Sequence, residues 1–396
     1  MRKMKDSGVE WIGQIPLEWD VCKLKYLIGI KSGDAIRNED ISSDGLYQVF
    51  GGGEIIGYTN KQNANEKNLL IGRVGARCGC VTKPLNKVYA TDNALVVFTK
   101  ENRNYFYDVL VSADLNKLNS SNAQPLLTAT KVKNVFVPHP PLAEQQKIAD
   151  FLDERCGEID SIRSDVQREI ELLNDYKKSV ITEAVTKGLN PKAKLKDSGI
   201  EWIGKIPEGW GLSKIGSIYS LRTQKVSDKN FAPLSVTMKG VLPQLENVAK
   251  TDDGDNRKLV RKGDFVINSR SDRRGSCGIS ALDGSVSLIN LVLKPRTSMN
   301  PRYYNWLFHT DSFADEFYSW GHGIVDDLWT TRWQEMRNIS VPVPPLSEQK
   351  AIADYLDEKC SAIDATIADK QRQLETLDEY KKSLIFEYVT GKKEVS

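Results

Sequence analysis

The stretch PPLAEQQKIADFLDERCGEIDSIRSDVQREIELLNDYKKSVITEAVTKG, residues 140–188, returns at residues 344–391 as PPLSEQKAIADYLDEKCSAIDATIADKQRQLETLDEYKKSLIFEYVTG. Each copy begins with two prolines, which fit the first turn of a helix, and contains no proline after them. Apolar residues recur every seven positions, as in the seam of a coiled coil, although Lys370 interrupts the second row. We therefore predict two helices of roughly 65 Å, with seams at Leu152, Ile159, Val166, Leu173 and Val180 and at Leu356, Ile363, Leu377 and Leu384.

A second motif is also duplicated. Residues 5–27, KDSGVEWIGQIPLEWDVCKLKYL, recur at 196–218 as KDSGIEWIGKIPEGWGLSKIGSI. The order of motif, variable stretch and long helix therefore occurs twice, which makes the chain a tandem repeat. Four apolar residues keep their places in both motifs, and we predict that they form a small plug where each domain begins: Trp11, Ile12, Ile15 and Trp19, and Trp202, Ile203, Ile206 and Trp210.

The two variable regions differ in sequence, yet both consist of short β-type runs separated by Gly, Asn and Asp, such as NLLIG, CGCVT and NALVVFT in the first and GDFVINSR and VSLINLVLK in the second. Helices are predicted near 104–117 and 301–320, and three successive glycines at 51–53 predict a hairpin loop. The predicted fold class is α+β, with two mixed, strand-rich α/β domains (1–139 and 191–343), each followed by a long helix (140–190 and 344–396).

The order of these segments predicts how the helices pair. The first helix leads away from the first domain, and the short polar segment 187–195 leads into the second. Because the termini of a domain usually lie close together, the second helix begins near that end and has to run back. We expect an antiparallel coiled coil with a domain at each end and an approximate two-fold axis.

The net charge is +2, but its sign alternates along the chain. Residues 20–139 carry 15 basic and 11 acidic side chains, and residues 211–343 carry 18 and 14, so each region is +4. The helical stretches 142–190 and 346–391 carry 7 against 11 and 6 against 10, so each is −4. A polyanion would be attracted to the two domains and repelled by the helices.

Cysteine usage and hydropathy predict a reduced, cytoplasmic protein. The 6 cysteines are scattered, which is neither a disulfide framework nor, beside 3 histidines, a zinc pattern. Cys156 and Cys360 hold the same place in the two helices and are expected to pack there. Charged residues follow Met1 closely and no apolar run is long enough to span a bilayer, so we predict no signal peptide and no membrane partner.

The sequence carries none of the common motifs of catalysis. It has no GxxxxGK[ST], HExxH or GxSxG motif, and no Cys/His pair at ligand spacing. The Gly-rich cofactor loop and apolar-proline motif expected of a base-flipping methyltransferase are also missing. We predict no catalytic residues, no cofactor and no metal site.

The doubled motifs PPLxEQxxIADxLDExC, DSGxEWIGxIPxxW and YKKSxIxE resemble those of the specificity subunit of type I restriction–modification systems, over the whole chain. The resemblance implies that each variable region is a target-recognition domain for one half of a bipartite site in double-stranded DNA. It also implies that the helices act as a spacer, that two methyltransferase subunits dock on them, and that restriction (endonuclease/translocase) subunits bind that core.

Two arginine-bearing loops are the first predicted DNA contacts, LLIGRVGARCG at 69–79 and FVINSRSDRRGSCG at 265–278. Their glycines allow close backbone approach, and arginine contacts both guanine and phosphate. The alternative is a surface loop whose arginines pair with Asp92 or Asp272. The loop residues predicted to bind DNA are Arg73, Arg77, Arg270, Arg273 and Arg274, and Lys83, Lys87, Asn93 and Asn290 follow in weaker positions.

The segment before each long helix, 120–134 and 321–338, is a second candidate, since the resemblance places it near DNA. It adds Gln124, His322 and Arg332. Glutamine can pair bidentately with adenine, and a buried strand-end amide is the alternative.

Two sets of polar residues recur at equal places on the two helices. They either bind two copies of one partner or preserve the packing of the helices. The sets are Tyr176, Lys177 and Lys178 with Tyr380, Lys381 and Lys382, and Glu144 and Gln145 with Glu348 and Gln349.

The leading hypothesis is a non-enzymatic DNA-recognition subunit. One alternative is the same role in a related system whose nuclease and methyltransferase share one partner chain. Another is a coiled-coil scaffold with two protein-binding domains.

Overall fold

A computed structural model describes residues 2–118, 126–244, 254–296, 299–323 and 329–395, and the chain divides into two compact units. Unit 1 comprises Met1–Gln167 with Gln371–Ser396, and unit 2 comprises Arg168–Lys370. Each unit therefore holds one variable region together with one part of each long helix. The domain boundaries predicted along the sequence, at 139/140, 190/191 and 343/344, stay predictions.

Unit 1 contains a four-stranded antiparallel sheet in the order Ile28–Ser32, Ala94–Thr99, Leu69–Gly72, Val81–Thr82. Side chains alternate between its faces, so that Leu69 and Ile71 face the core beside the helices while Leu70 faces a smaller core. A three-stranded mixed sheet adjoins it. The other strands of the unit are Tyr47–Phe50, Ile55–Thr59, Val88–Ala90, Met4–Asp6, Gln14–Pro16, Asp20–Lys23 and Phe136–His139, and its shorter helices are Arg103–Ser112 and Ala129–Lys133.

Unit 2 repeats this plan, with a four-stranded antiparallel sheet in the order Tyr219–Leu221, Asn290–Pro295, Phe265–Asn268, Cys277–Ile279. Its core contains five buried aromatic rings from the two helices that follow the sheet, at Tyr303, Tyr304, Phe308, Phe313 and Phe317. The remaining strands are Leu195–Asp197, Lys205–Pro207, Gly211–Lys214, Lys225–Val226, Leu234–Thr237, Gly240–Pro243, Arg257–Val260, Gly284–Val286 and Ser340–Val343, and the shorter helices are Ile215–Ile218, Pro301–Phe308, Asp311–Ser319 and Trp333–Met336.

Two sequence predictions for these domains need adjustment. The helix predicted over 301–320 is two helices, because Thr310 caps a new helix by accepting a hydrogen bond from the amide of Phe313 at 3.2 Å. The strand predicted for CGCVT is reduced to Val81–Thr82, since the residues before it belong to a hairpin loop. The glycine turn at 51–53 is confirmed between two antiparallel strands.

The long helices run from Leu142 to Lys187 and from Leu346 to Val389, and both begin directly after their proline pairs, as predicted. The first seam is buried from Leu152 through Val166, whereas Leu173 and Val180 are half-buried. In each unit, parts of the two helices pack against each other in opposite directions, shown by ion pairs between Asp160 and Lys381, Arg163 and Asp378, Lys177 and Asp364, and Glu169 and Lys370. Among the described residues, no helix combines the length and apolar composition that crossing a bilayer requires.

The duplicated motif at residues 5–27 and 196–218, here called the entrance motif, forms the predicted plug in both units. Trp19 and Trp210 are fully or almost fully buried, and each indole N–H donates to a carboxylate at the start of a long helix, Glu144 or Glu348, at 2.8 Å. The neighbouring Gln145 and Gln349 are buried and donate to the carbonyls of Pro140 and Pro344. Of the two explanations for this repeated Glu-Gln pair, the contacts therefore favour internal packing.

Candidate nucleic-acid interface

Each unit carries an eight-residue hairpin loop at the same place of its four-stranded sheet. Hairpin loop 1 (73–80) and hairpin loop 2 (269–276) each connect the third strand of the sheet to the fourth. In both, the residue before the loop donates its amide to the carbonyl of the last loop residue, at 3.0 Å in unit 1 and 2.9 Å in unit 2. The loops are therefore equivalent position by position, although their sequences are RVGARCGC and SRSDRRGS.

Arg77 and Arg273 are the fifth residues of the two loops. Each carbonyl accepts a hydrogen bond from the amide three residues later, at 3.1 Å and 3.0 Å. Their side chains are 61% and 66% exposed, and each Nε lies 3.6 Å from a carboxylate oxygen, of Glu54 and Asp272 respectively. Exposed ion pairs of this kind contribute about 0–1 kcal/mol, so each guanidinium can leave its carboxylate for a ligand at little cost.

Glycines allow the glycine turn at residues 51–53 to pack directly against hairpin loop 1. A Cβ atom on Gly53, whose φ is +124°, would lie 2.6 Å from the Cβ of Arg77, and one on Gly72 would lie 2.8 Å from the Arg77 carbonyl oxygen. Only a residue without a side chain permits this approach. The turn therefore fixes the backbone from which Arg77 projects.

In unit 2 the hairpin 234–243 takes the place of that glycine turn. A Cβ atom on Gly278 would lie 2.8 Å from the Cα of Gly240, and Met238 at the turn is 71% exposed beside Gly275. Sequence reasoning singled out neither Glu54 nor Met238. A short polar break between two β-type runs could have indicated a turn at Met238. Its position beside hairpin loop 2, however, depends on the tertiary fold.

The other predicted residues of unit 1 are held by the fold. Arg73 is half-buried, and its Nη1 donates to Ser32 Oγ at 3.1 Å and to the main-chain carbonyl of Asp92 at 3.2 Å. Arg73 therefore contacts Asp92 through the main-chain carbonyl of that residue, whereas the alternative expected a pairing with its side chain. Asn93 is exposed next to it, and its carbonyl accepts from the Arg73 amide.

Lys83 lies against the first long helix. Its Nζ is 2.7 Å from Asp153 and 4.5 Å from the centre of the Tyr107 ring. Lys87 is exposed. Gln124 lies outside the described residues.

In unit 2, the guanidinium of Arg274 contacts Asp315, and its Nη2 also donates to the carbonyl of Asp311 at 3.4 Å. Arg270 lies with its Nε 3.5 Å from Asp272, so the alternative of pairing at that carboxylate is also realised. Arg332 is exposed directly before the helix Trp333–Met336.

Two further candidates of unit 2 differ in accessibility. His322 is 73% exposed, with Nε2 4.0 Å from Glu335. Asn290 is buried, and its amide donates to the carbonyl of Ser287 at 3.3 Å.

Two observations concern metal-ligating and thiol side chains in the part of the chain that the structure describes. There, no three His, Cys, Asp or Glu side chains meet in a way that could hold a metal ion. Burial raises the pKa of Cys156 to about 11 and raises that of Cys277 as well, so neither thiol is a ready thiolate.

Two unlike α/β units with the same order of strands in their four-stranded sheets, each holding a part of both long helices, define a tandem-repeat α/β protein. The chain belongs to the family described as type I restriction modification DNA specificity domain, which matches residues 16–172 and 207–376.

Relatives across much of the chain agree with this assignment. The chain is similar to the type I restriction enzyme MjaVIII specificity subunit of Methanocaldococcus jannaschii, with 24% identity over 422 residues, 96% of this chain and 94% of that protein. The type I restriction enzyme EcoprrI specificity subunit of Escherichia coli is 36% identical over 110 residues, 27% of either chain. A solved structure described as "Structural basis underlying complex assembly and conformational transition of the type I R-M system" shares the fold, with a TM-score of 0.66 at 15% identity over 95% of this chain and 98% of that one.

Proposed function

We propose that this chain is the DNA-recognition subunit of a type I restriction–modification complex and has no catalytic activity of its own. The observation that carries the proposal is the pair of equivalent hairpin loops, each with an exposed arginine, on two unlike units of a chain in this family. Each unit reads one half of a bipartite site in double-stranded DNA, and the complex methylates or cuts DNA accordingly. The sites of action are host and incoming DNA in the cytoplasm.

The differences between the two units support unlike half-sites. The loops have the same backbone frame, so differences in what they bind have to come from their side chains, and base edges are read by side chains. Both variable regions carry an excess of positive charge. That excess supports attraction to a polyanion, which supplies the sequence-independent part of DNA binding.

The long helices act in this proposal as an antiparallel coiled coil with a pseudo-two-fold axis, which sets the span between the half-sites. Two methyltransferase subunits dock on it, and restriction (endonuclease/translocase) subunits bind that core. The exposed rings of Tyr176 and Tyr380, 48% and 56% accessible at equal places of the repeat, support this docking. Identical surface presented twice is what two copies of one partner require.

The test is DNA binding by the chain assembled with its partner subunits, measured from low to high salt. We expect preference for the methylated motif of the host and a linear fall of log K with log salt, because phosphate contacts release counterions. The scaffold alternative predicts no DNA binding at any salt, and that result would overturn the proposal. A single partner chain with both nuclease and methyltransferase activity would favour the related system, and methyl-donor turnover by the purified chain alone would refute the non-catalytic role.

A further inference from the structure

Resting on the proposed function, we infer that Arg77 and Arg273 are matched specificity-determining residues, one in each unit, and that each makes a bidentate contact with a guanine of its half-site. The other basic residues of the two hairpin loops then hold the loops in place. The inference follows from comparing the loops with each other.

Hairpin loops 1 and 2 have the same residue at two of their eight positions. One is the seventh, Gly79 or Gly275, where φ is +88° or +73°. A glycine is favoured there because other residues rarely adopt this conformation. The other shared position is the fifth, occupied by Arg77 and Arg273, and backbone geometry imposes no arginine there.

Packing does not explain the shared arginine either. Both side chains are about two-thirds exposed, and their carboxylate neighbours come from different parts of the fold. Glu54 belongs to an adjoining turn, whereas Asp272 precedes Arg273 in the loop itself. Two unrelated surroundings that keep the same exposed guanidinium point to a shared ligand.

Unlike the fifth-position arginines, the other arginines of the two loops are held by contacts with their own units. Arg73 is half-buried and donates to two oxygen atoms of the sheet edge. Arg274 contacts Asp315 on the helix Asp311–Ser319, and the half-buried Arg270 forms an antiparallel β-bridge with Thr330, outside the loop. These contacts tie the loops to their own units, whereas the fifth-position side chain projects from the loop.

The chemistry of the guanidinium specifies the ligand. Its planar fork of N–H donors matches the O6 and N7 acceptors of guanine in the major groove, which is the commonest specific contact between arginine and DNA. A lysine keeps the charge but not the planar fork. Substitution by lysine therefore separates the reading of a base from a contact with phosphate.

The experiment uses the full chain assembled with its partner subunits and compares Arg77→Ala, Arg77→Lys, Arg273→Ala and Arg273→Lys. Binding is measured on duplexes that carry every single base-pair change of the site, and the methylated motif is read across host DNA. We expect Arg77→Ala to relax the preference for guanine at one position of one half-site by roughly 5- to 150-fold. Arg273→Ala should do the same in the other half-site only, and neither lysine variant should restore the lost preference.

The Arg77 and Arg273 variants are controls for each other. Each variant should keep the original preference at the half-site that the other, unsubstituted unit reads. Arg37→Ala, at a side chain that is 81% exposed in a different turn of unit 1, removes the same charge outside the loop and should leave the motif unchanged. Equal weakening on all duplexes, reversed by lysine, would show a phosphate contact and overturn the inference, as would an unchanged motif in the alanine variants. Failure of the proposed function is a different result, since the unsubstituted complex would then show no sequence preference.

Discussion

The Nζ atom of Lys381 lies 2.7 Å from both carboxylate oxygens of Asp160, and so joins the second long helix to the first within unit 1. In unit 2 the matching residues Lys177 and Asp364 are joined in the same way, at 2.6 Å and 2.7 Å. Lys177 and Lys381 hold the same place in the repeat, as do Asp160 and Asp364. The same contact is therefore made once in each unit, with the lysine and the aspartate supplied by opposite helices.

Reversing one of these charges should weaken unit 1. Asp160→Lys places two ammonium groups side by side, and we expect a loss of about 0.2–1 kcal/mol because the pair is partly exposed. Adding Lys381→Asp should recover most of it in denaturant titrations at low salt. Asp364→Lys is the matched variant in unit 2 and should cost a similar amount. A double variant that is no more stable than Asp160→Lys would contradict the pairing.

The buried tryptophans of the entrance motif should depend on their carboxylates. Glu348→Ala leaves the indole N–H of Trp210 buried without its acceptor, which should lower the free energy of unfolding by about 1–3 kcal/mol in chemical denaturation. Glu144→Ala should cost more, because Glu144 also contacts the guanidinium of Arg2. Glu208→Ala, at an exposed neighbour in the same motif, should have almost no effect. Equal losses for Glu208→Ala and Glu348→Ala would argue against this role.

Asp108 should make the stability of unit 1 depend on pH. Burial of the Asp108 carboxyl is the main cause that raises its pKa from 3.8 to about 7. The negative charge of Asp153 also raises this pKa, whereas the positive charges of Lys83 and Lys381 lower it. Between about pH 4 and 7 the folded protein then keeps a proton that the unfolded chain has lost. The contribution of Asp108 to stability is therefore greatest below pH 4, falls as pH rises to 7, and is constant above that.

Asp108→Asn removes this titration while keeping the shape of the side chain. The variant should gain stability relative to the unsubstituted protein as pH rises from 4 to 7, by up to about 4 kcal/mol, measured by denaturation at a series of pH values. Asp114→Asn, at an exposed residue just after the same helix, is the control and should show no such trend. A constant difference between Asp108→Asn and the unsubstituted protein at every pH would refute the raised pKa.

The proposed spacer role predicts a change in the gap between half-sites. Seven residues inserted after Asp165 and seven after Asp369, at equal places of the two helices, keep the seam in phase and lengthen each helix by roughly 10 Å. At about 3.4 Å per base pair, the unread gap should grow by roughly three base pairs with both half-sites unchanged. The methylated motif of host DNA is the measurement. Insertion of four residues is the out-of-phase control, and an unaltered gap in the seven-residue variant would disprove the spacer.

The sequence by itself determined the elements that depend on neighbours along the chain. Proline pairs set the starts of both long helices, and the seven-residue spacing identified buried positions such as Leu152 and Leu356. The duplicated motifs determined the family, and the glycine run at 51–53 determined a turn. These features are local or repeated, so a pattern of residue types is enough to define them.

Only the tertiary structure decided which basic residues are held and which project. Lys83 is tied to Asp153, 70 residues away, and Arg73 to Ser32, 41 residues away. The equivalence of Arg77 and Arg273 likewise required the strand register, because the loops around them share so few residues. Such contacts depend on side chains that folding brings together across long separations, and the composition of a loop does not contain that information.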